Sequence, residues 1–268
     1  YDVVIIGAGC VGAMTALELS KYKDLKVALL EKARDVSAGA TSANSGIVHC
    51  GIDTTLDTLK GRLVVRGNTL IHELQPKLNF GLKRCGELMV ARSDDEIPLL
   101  DRYIDIAKQK NVPVELWDYE QIHKHEPNLG ENIKKAIWCP TTSVLDPYEM
   151  TIAACLTAKA NGVHVYTSTE VTGIKKTEKG YVVETKGGKS FETKVLMNCA
   201  GVFASNVSAF LGEPDFHITA RKGEEYLLDR KVGNIVNSVI FPCPTGVTKG
   251  TLVIPTVGGT VMVGPTAD

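Results

Sequence analysis

Asp2-Val3-Val4-Ile5-Ile6-Gly7-Ala8-Gly9-Cys10-Val11-Gly12 decides how the rest of the chain is read. Val3, Val4, Ile5 and Ile6 form a β-branched apolar run without alternation, which predicts a strand buried on both faces, as in a parallel sheet. Gly7-Ala8-Gly9-Cys10-Val11-Gly12 has the spacing GxGxxG. Beyond it, Val11, Met14, Leu17 and Leu19 with the small Ala13 and Ala16 predict a helix packed closely on a sheet and ending near Tyr22. Lys26-Val27-Ala28-Leu29-Leu30 predicts a second strand, and Glu31 ends it 19 residues after Gly12. Strand, glycine turn, helix, strand and acid in this order form a dinucleotide-binding fingerprint. The first glycine permits the tight turn, the second lets backbone approach a pyrophosphate, and the third lets helix and strand pack closely. The helix start offers unpaired N–H groups and a favourable dipole to phosphate, while Glu31 offers a carboxylate to ribose hydroxyls. The fingerprint by itself does not separate NAD from FAD.

Composition narrows the classes further. The 268 residues are 44% hydrophobic and 23% charged, and 30 Lys+Arg against 31 Asp+Glu leave a formal net charge of -1. This excludes disordered, collagenous and coiled-coil classes. It gives no electrostatic reason to expect nucleic acid or an anionic membrane as the main partner. A small anionic substrate needs only a few local cations. Seven scattered cysteines without a C-x-x-C pair argue against a disulfide framework or a zinc site, and for buried thiols in a reducing compartment. No apolar run reaches the roughly 18 residues of a membrane span. Tyr1 leads directly into a strand, with no signal peptide and no initiator Met, so a trimmed or processed chain is expected.

The remaining elements predict an α/β protein with an interwoven second domain. Residues 34–47 read as a long polar loop of functional character. Leucines at helical spacing predict a helix over 58–79. Segments 82–91 and 113–117 read as strands around a charged helix at 94–110. Residues 147–161 predict a helix with Asp146 as N-cap and Pro147 at its first position. Residues 163–197 read as short strands, Val195-Leu196-Met197 stops at Asn198-Cys199-Ala200-Gly201, and 214–264 is strand-like. The expected division is a Rossmann-like domain from 1–80 and 146–213, interwoven with an antiparallel-sheet substrate (cap) domain from 81–145 and 214–268. His123 and His125, beside Lys124 and Glu126, read as a solvated helix face, not a metal site. Trp117 and Trp138 read as core or rim packing.

Thr41-Ser42-Ala43-Asn44-Ser45-Gly46 offers hydroxyls, an amide and backbone donors in one stretch, suited to run alongside an extended FAD. With the following Ile47-Val48-His49-Cys50-Gly51-Ile52, it resembles the flavin-side segment of FAD-dependent 2-hydroxy-acid oxidoreductases of the D-amino-acid oxidase-like superfamily. The resemblance is strongest to FAD-dependent glycerol-3-phosphate dehydrogenases, with L-2-hydroxyglutarate oxidases next. Leu59-Lys60-Gly61-Arg62-Leu63-Val64-Val65-Arg66-Gly67-Asn68 continues it. So do Asn198-Cys199-Ala200-Gly201-Val202, Asp146-Pro147-Tyr148, Lys222-Gly223-Glu224 and Val263-Gly264-Pro265-Thr266-Ala267. Two departures stand out. Lys222-Gly223 replaces the family's common Arg-Gly pair, with Arg221 next door, and relatives continue beyond the point where this chain stops.

The resemblance implies an FAD Rossmann-like domain and oxidation of a secondary alcohol, with a hydride passing to flavin as a base takes the hydroxyl proton. It assigns the cofactor to Gly7, Gly9, Cys10, Val11, Gly12, Glu31, Lys32, Thr41, Ser42, Asn44, Ser45, Gly46, Val171, Ala200 and Gly201. His49 is the candidate base, because an ordinary histidine titrates near neutral pH. Arg221 and Lys222 are the candidates for a substrate phosphate or carboxylate, with Thr256 and Thr266 lining the site. No metal is implied. The expected partners are glycerol 3-phosphate or a 2-hydroxy acid, and a quinone or electron-transfer protein as acceptor. The expected location is cytoplasmic, with peripheral association at the inner face of the membrane left open. So are an amino-acid oxidase, a non-catalytic flavin-binding subunit, and covalent flavin attachment through His49 or Cys50.

Overall fold

A computed structural model of the chain describes residues 1–244 and 250–266. Residues 245–249 of the stretch expected to be strand-like, and Ala267 of the closing motif, lie outside the described residues. Along the chain run β1 (Val3–Ile6), α1 (Cys10–Leu19), β2 (Val27–Leu30), β3 (Ile47–Val48), α2 (Leu59–Leu78), β4 (Leu82–Lys83) and β5 (Glu87–Ala91). Next come α3 (Ile97–Gln109), β6 (Glu115–Trp117), α4 (Tyr119–His125), β7 (Lys135–Cys139), β8 (Ser143–Leu145) and α5 (Pro147–Ala160). Then follow β9 (His164–Tyr166), β10 (Val171–Thr177), β11 (Gly180–Thr185), β12 (Ser190–Thr193), β13 (Val195–Asn198) and α6 (Ala204–Ser208). The last strands are β14 (Tyr226–Leu228), β15 (Val239–Pro242), β16 (Leu252–Pro255) and β17 (Val261–Gly264).

The chain divides into two compact units built from alternating segments. The first holds Tyr1–Asn44, Leu78–Phe80 and Pro147–Ala220; the second holds Ser45–Lys77, Gly81–Asp146 and Arg221–Asp268. This differs from the expected boundaries, since residues 45–77 join the second unit and 214–220 the first. The hydrogen bonds made by β3 explain the first difference. Ile47 and Val48 pair with β8, within the second unit, so the chain leaves the first unit at the end of its polar loop.

In the first unit a parallel sheet has the order β13-β1-β2-β9, and Val3–Ile6 are buried throughout, as a run without alternation requires. A second, antiparallel sheet, β10-β11-β12, supplies Ile174, Val183 and Phe191 to a core shared with Val4, Ile6, Ala28 and Leu30. Helix α1 lies against α5, where Asn161 donates to the Ser20 hydroxyl at 3.1 Å.

The second unit is organised on a seven-stranded sheet of order β14-β17-β16-β15-β5-β7-β6. Strand β5 is buried on both faces and its alternation sorts two cores. Met89 and Ala91 face Leu100 and Ala107 of α3, while Leu88 and Val90 face Ile122 of α4. The strand expected over 82–91 is broken between β4 and β5, where the Trp138 ring lies over Gly86: a Cβ there would stand 2.1 Å from the indole. Strands β7 and β8 were not legible as separate segments, and no strand forms between residues 212 and 225. His125 corrects the reading of a solvated face. Its ring packs against Trp117 and Trp138 at 5.4 and 4.9 Å, and Glu126 beside it is buried, accepting from the backbone of Asn237 and Ser238. Trp117 and Trp138 stack on each other at 4.8 Å.

Among the described residues no helix is long and apolar enough to cross a membrane. Leu88 is fully buried in the centre of the large sheet, whereas Leu227 on the edge strand β14 is 65% exposed. Leu88→Ala is therefore expected to lower unfolding free energy by about 2–5 kcal/mol and Leu227→Ala by less than about 0.5 kcal/mol in urea titrations.

Candidate functional site

The carboxyl ends of β1, β2 and β13 converge on a cavity of about 660 Å³, all of whose lining residues belong to the first unit. Pockets in open α/β sheets form at this end of the strands, and this volume is in the usual range for cofactor sites. Gly7 turns the chain with φ +101°, and a Cβ on it would come within 2.4 Å of the Cys199 carbonyl oxygen. A Cβ on Gly12 would lie 1.9 Å from the Gly7 carbonyl oxygen. The β1 turn, the start of α1 and the β13 turn are thus stacked at a spacing that no side chain tolerates. This is what brings backbone amides, instead of side chains, to the mouth of the sheet.

Each wall has a definite chemistry. The Thr41 hydroxyl accepts from the Cys10 N–H at 2.9 Å, capping α1 from the polar loop, and the other first-turn amides of α1 have no acceptor within the helix. The Glu31 carboxylate is fixed at both oxygens, by Ala8 N–H at 2.8 Å and Ala33 N–H at 2.9 Å. A carboxylate oxygen with one donor keeps a lone pair for a hydroxyl. Asn198 ties the β13 turn together: its amide donates to the Ala204 carbonyl at 2.8 Å and its oxygen accepts from Ala200 N–H at 3.2 Å. The Lys32 ammonium lies 3.3 Å from the centroid of the Phe203 ring, a cation–π contact at the rim.

Of the residues assigned to the dinucleotide, Gly7, Gly9, Cys10, Val11, Glu31, Lys32, Thr41, Asn44, Val171, Ala200 and Gly201 line this cavity. Gly12 does not, and acts by close packing. Ser42 points its hydroxyl to the Gly39 carbonyl. Ser45 and Gly46 belong to the second unit, where Ser45 donates to Glu225 at 2.5 Å and the Gly46 carbonyl accepts from Leu145 N–H. Sequence reasoning missed Val202, Phe203 and Phe210, which give the cavity an apolar flank. Their signal was present as apolar residues directly after the Asn198 turn.

In the second unit, His49 follows β3, half-buried, with its ring 5.9 Å from that of Phe241. Asn68 of α2, buried, extends its amide to the carbonyls of Val48, His49 and Thr141 at 3.3, 3.1 and 3.0 Å, so the backbone bearing His49 is pinned by a side chain. Lys222, next to Arg221 in the chain, and Thr266 meet at Glu224. Lys222 pairs with Glu224 at 2.6 Å, and the Thr266 hydroxyl accepts from Glu224 N–H. Thr256 is not part of this group: its hydroxyl bonds Thr260 in the turn from β16 to β17, at the opposite end of β17 from Thr266. Five residues separate Thr260 from Thr266, four of them the strand β17. Glu87, fully buried, has its carboxyl raised well above the ordinary carboxylate range, chiefly by burial.

A parallel βαβ sheet with a glycine turn, an acid at the end of β2 and a second backbone turn at β13 defines a dinucleotide-binding oxidoreductase fold. The FAD dependent oxidoreductase (DAO) family matches residues 2–268, and the chain belongs to it. It is 41% identical across its whole length to a glycerol 3-phosphate dehydrogenase of Caloramator mitchellensis, covering 56% of that protein. It is 30% identical to an L-2-hydroxyglutarate dehydrogenase of Escherichia coli O17:K52:H18, covering 64% of it. The chain thus spans about three fifths of the curated relatives it matches. The FAD-bound, dithionite-reduced L-alpha-glycerophosphate oxidase of Mycoplasma pneumoniae superposes with a TM-score of 0.92, at 31% identity, over all of this chain and 71% of that one. Glycine oxidase from Geobacillus kaustophilus, at 24% identity and TM-score 0.86, shares the fold.

The cavity fits FAD on this chain's own features: glycines a Cβ would clash at, amides at the start of α1 for an anion, a fixed carboxylate at the end of β2, and an apolar flank. Cys10 and Cys199 line it and are partly exposed, whereas Cys155 and Cys243 are buried, which pushes both thiols up to about 11. At pH 7.5 a maleimide is therefore expected to label Cys10 before Cys155 or Cys243, and added FAD to slow labelling of Cys10. Peptide mapping by mass spectrometry checks both. Gly12→Ala is expected to abolish this protection and to cost about 1–3 kcal/mol of stability through overpacking.

Proposed function

We propose that the protein is an FAD-dependent oxidoreductase that oxidises sn-glycerol 3-phosphate to dihydroxyacetone phosphate. The observation that carries this reading is the 41% identity, along the entire chain, to a protein named glycerol 3-phosphate dehydrogenase. The glycerophosphate oxidase of Mycoplasma pneumoniae, matched at a TM-score of 0.92, supports it.

FAD, when bound, supplies the two-electron acceptor for the carbinol hydride. Gly7, Gly9, Cys10, Val11, Glu31, Lys32, Thr41, Asn44, Val171, Ala200 and Gly201 are the residues proposed to hold it, with Gly12 acting through packing. His49 is the proposed base: its imidazole takes the substrate hydroxyl proton, on a backbone held still by Asn68. Asn44 lines the cavity of the first unit, and only four residues of chain separate it from His49. Arg221 and Lys222 bind the phosphate. Lys222 exchanges its Glu224 partner for that stronger anion, and Thr266 holds the Glu224 backbone in place. Electrons leave to a quinone or an electron-transfer protein, and the protein works in the cytoplasm with peripheral contact to the inner membrane face.

The second reading replaces the phosphate with a carboxylate, as in L-2-hydroxyglutarate, and is favoured by the 30% identity to a dehydrogenase of that name. Anaerobic bleaching of the flavin absorbance in FAD-loaded protein separates the two. Glycerol 3-phosphate is expected to bleach it rapidly and L-2-hydroxyglutarate slowly; the reverse order overturns the named substrate. His49→Ala is expected to slow bleaching by roughly 10²–10⁴-fold with FAD still bound. Lys222→Ala is expected to raise KM roughly ten- to hundredfold with a smaller change in kcat, measured by steady-state turnover.

A further inference from the structure

Cys50, Glu87 and Cys139 come from three separate parts of the second unit and meet in its core. Cys50 stands two residues after β3, Glu87 opens β5, and Cys139 closes β7, directly opposite Glu87 across the antiparallel pair. Their exposures are 2%, 3% and 0%. One ligand atom from each lies within 4.8 Å of the others, and the Cys50 Sγ is 3.3 Å from Glu87 Oε1. Thr142, fully buried, donates its hydroxyl to Glu87 Oε2 at 2.7 Å, which turns Oε1 towards the two sulfurs.

Such a cluster is an odd choice for a hydrophobic core. Burial disfavours the ionised Glu87 carboxylate, and a bound cation is what would offset that cost. No ion pair to Glu87 occurs among the described residues, and the buried Lys110 directs its ammonium to the Gly51 carbonyl and the Thr54 hydroxyl instead. Two soft sulfurs and one carboxylate oxygen are the donor set of a thiophilic d¹⁰ ion, with zinc the commonest. Bond lengths of about 2.3 Å to sulfur and 2.0 Å to oxygen imply donor–donor edges of roughly 3.5–3.8 Å in a tetrahedral site. The Cys50–Glu87 edge, at 3.3 Å, already lies close to this range, and the other edges are no longer than 4.8 Å. The hydroxyl of Thr142 on the free carboxylate oxygen is the kind of outer hydrogen bond that orients a metal ligand.

We propose that Cys50, Glu87 and Cys139 form a buried zinc site, with a water in the remaining position, which clamps the segment after β3 to the central strands β5 and β7. Binding releases the thiol protons and the proton of the buried Glu87 carboxyl to solvent as the ion enters during folding, with no change of oxidation state.

The test is metal analysis of the full chain purified without chelators from zinc-supplemented cells. About one zinc ion per chain is expected by mass spectrometry of the acid-digested protein. It should fall to background in Cys139→Ser and in Glu87→Gln, and stay in Cys85→Ser, a buried cysteine outside the trio. Cobalt(II) exchanged into the wild type should give thiolate-to-cobalt charge-transfer absorbance, so the result does not depend on the variants folding. A wild type that lacks zinc and gives no such absorbance with added cobalt overturns the proposal. So does zinc retained in the Cys50→Ser/Cys139→Ser double variant, or a Cys50–Cys139 disulfide recovered from a non-reduced digest.

Discussion

The carbonyl oxygen of Gly7 occupies the place where any side chain on Gly12 would stand. This one contact sets the distance between β1 and α1, and with it the geometry of the first unit. Because α1 sits so close, its first-turn amides open at the carboxyl end of the sheet, and the Cys199 carbonyl can approach Gly7 from the β13 side. The cavity exists because three backbone turns crowd together without side chains between them. Polar side chains then fix the walls: Glu31 is held by two amides, Asn198 closes its own turn, and Thr41 caps α1. Each of these groups is satisfied within the protein and retains capacity for a ligand, which is the preorganisation that cofactor binding needs.

The second unit follows a different logic. Its large sheet is buried on both faces of β5, so apolar packing fixes its strands. Buried polar residues then set the positions that packing leaves undetermined. Asn68 holds three carbonyls around His49, Glu126 takes the amides of Asn237 and Ser238, and Glu87 joins Cys50 and Thr142. A buried polar group without partners is costly, so each of these contacts specifies a single arrangement of the surrounding loop. The base proposed for catalysis lies on a segment anchored in this way, by Asn68.

Much of this was legible in the amino-acid order because it is local. The run Val3–Ile6, the GxGxxG spacing, the helix of residues 59–78 and the acid at 31 are each determined by neighbours within one element, where period and turn chemistry act. Most cofactor candidates came from such local patterns, and eleven of them line the cavity. Ser45 and Gly46 fall in the second unit, because the pairing of β3 with β8, nearly a hundred residues later, takes the chain out of the first unit after Asn44. Thr256 and Thr266 were both read as lining the site, and the hairpin of β16 and β17 puts them at opposite ends of β17.

What the sequence determined by itself was therefore the dinucleotide turn and the family it resembles, since backbone sterics at glycines and the periods of strand and helix are written in adjacent residues. Tertiary structure alone decided which polar groups share a buried site. Cys50 and Cys139 lie 89 residues apart with no metal-binding spacing, and the sequence argued against a zinc site on that ground. The pairing of β5 with β7 sets Cys139 opposite Glu87, and the pairing of β3 with β8 anchors the segment that carries Cys50. Long-range strand register is set by the packing of whole faces, and no short window of sequence contains it.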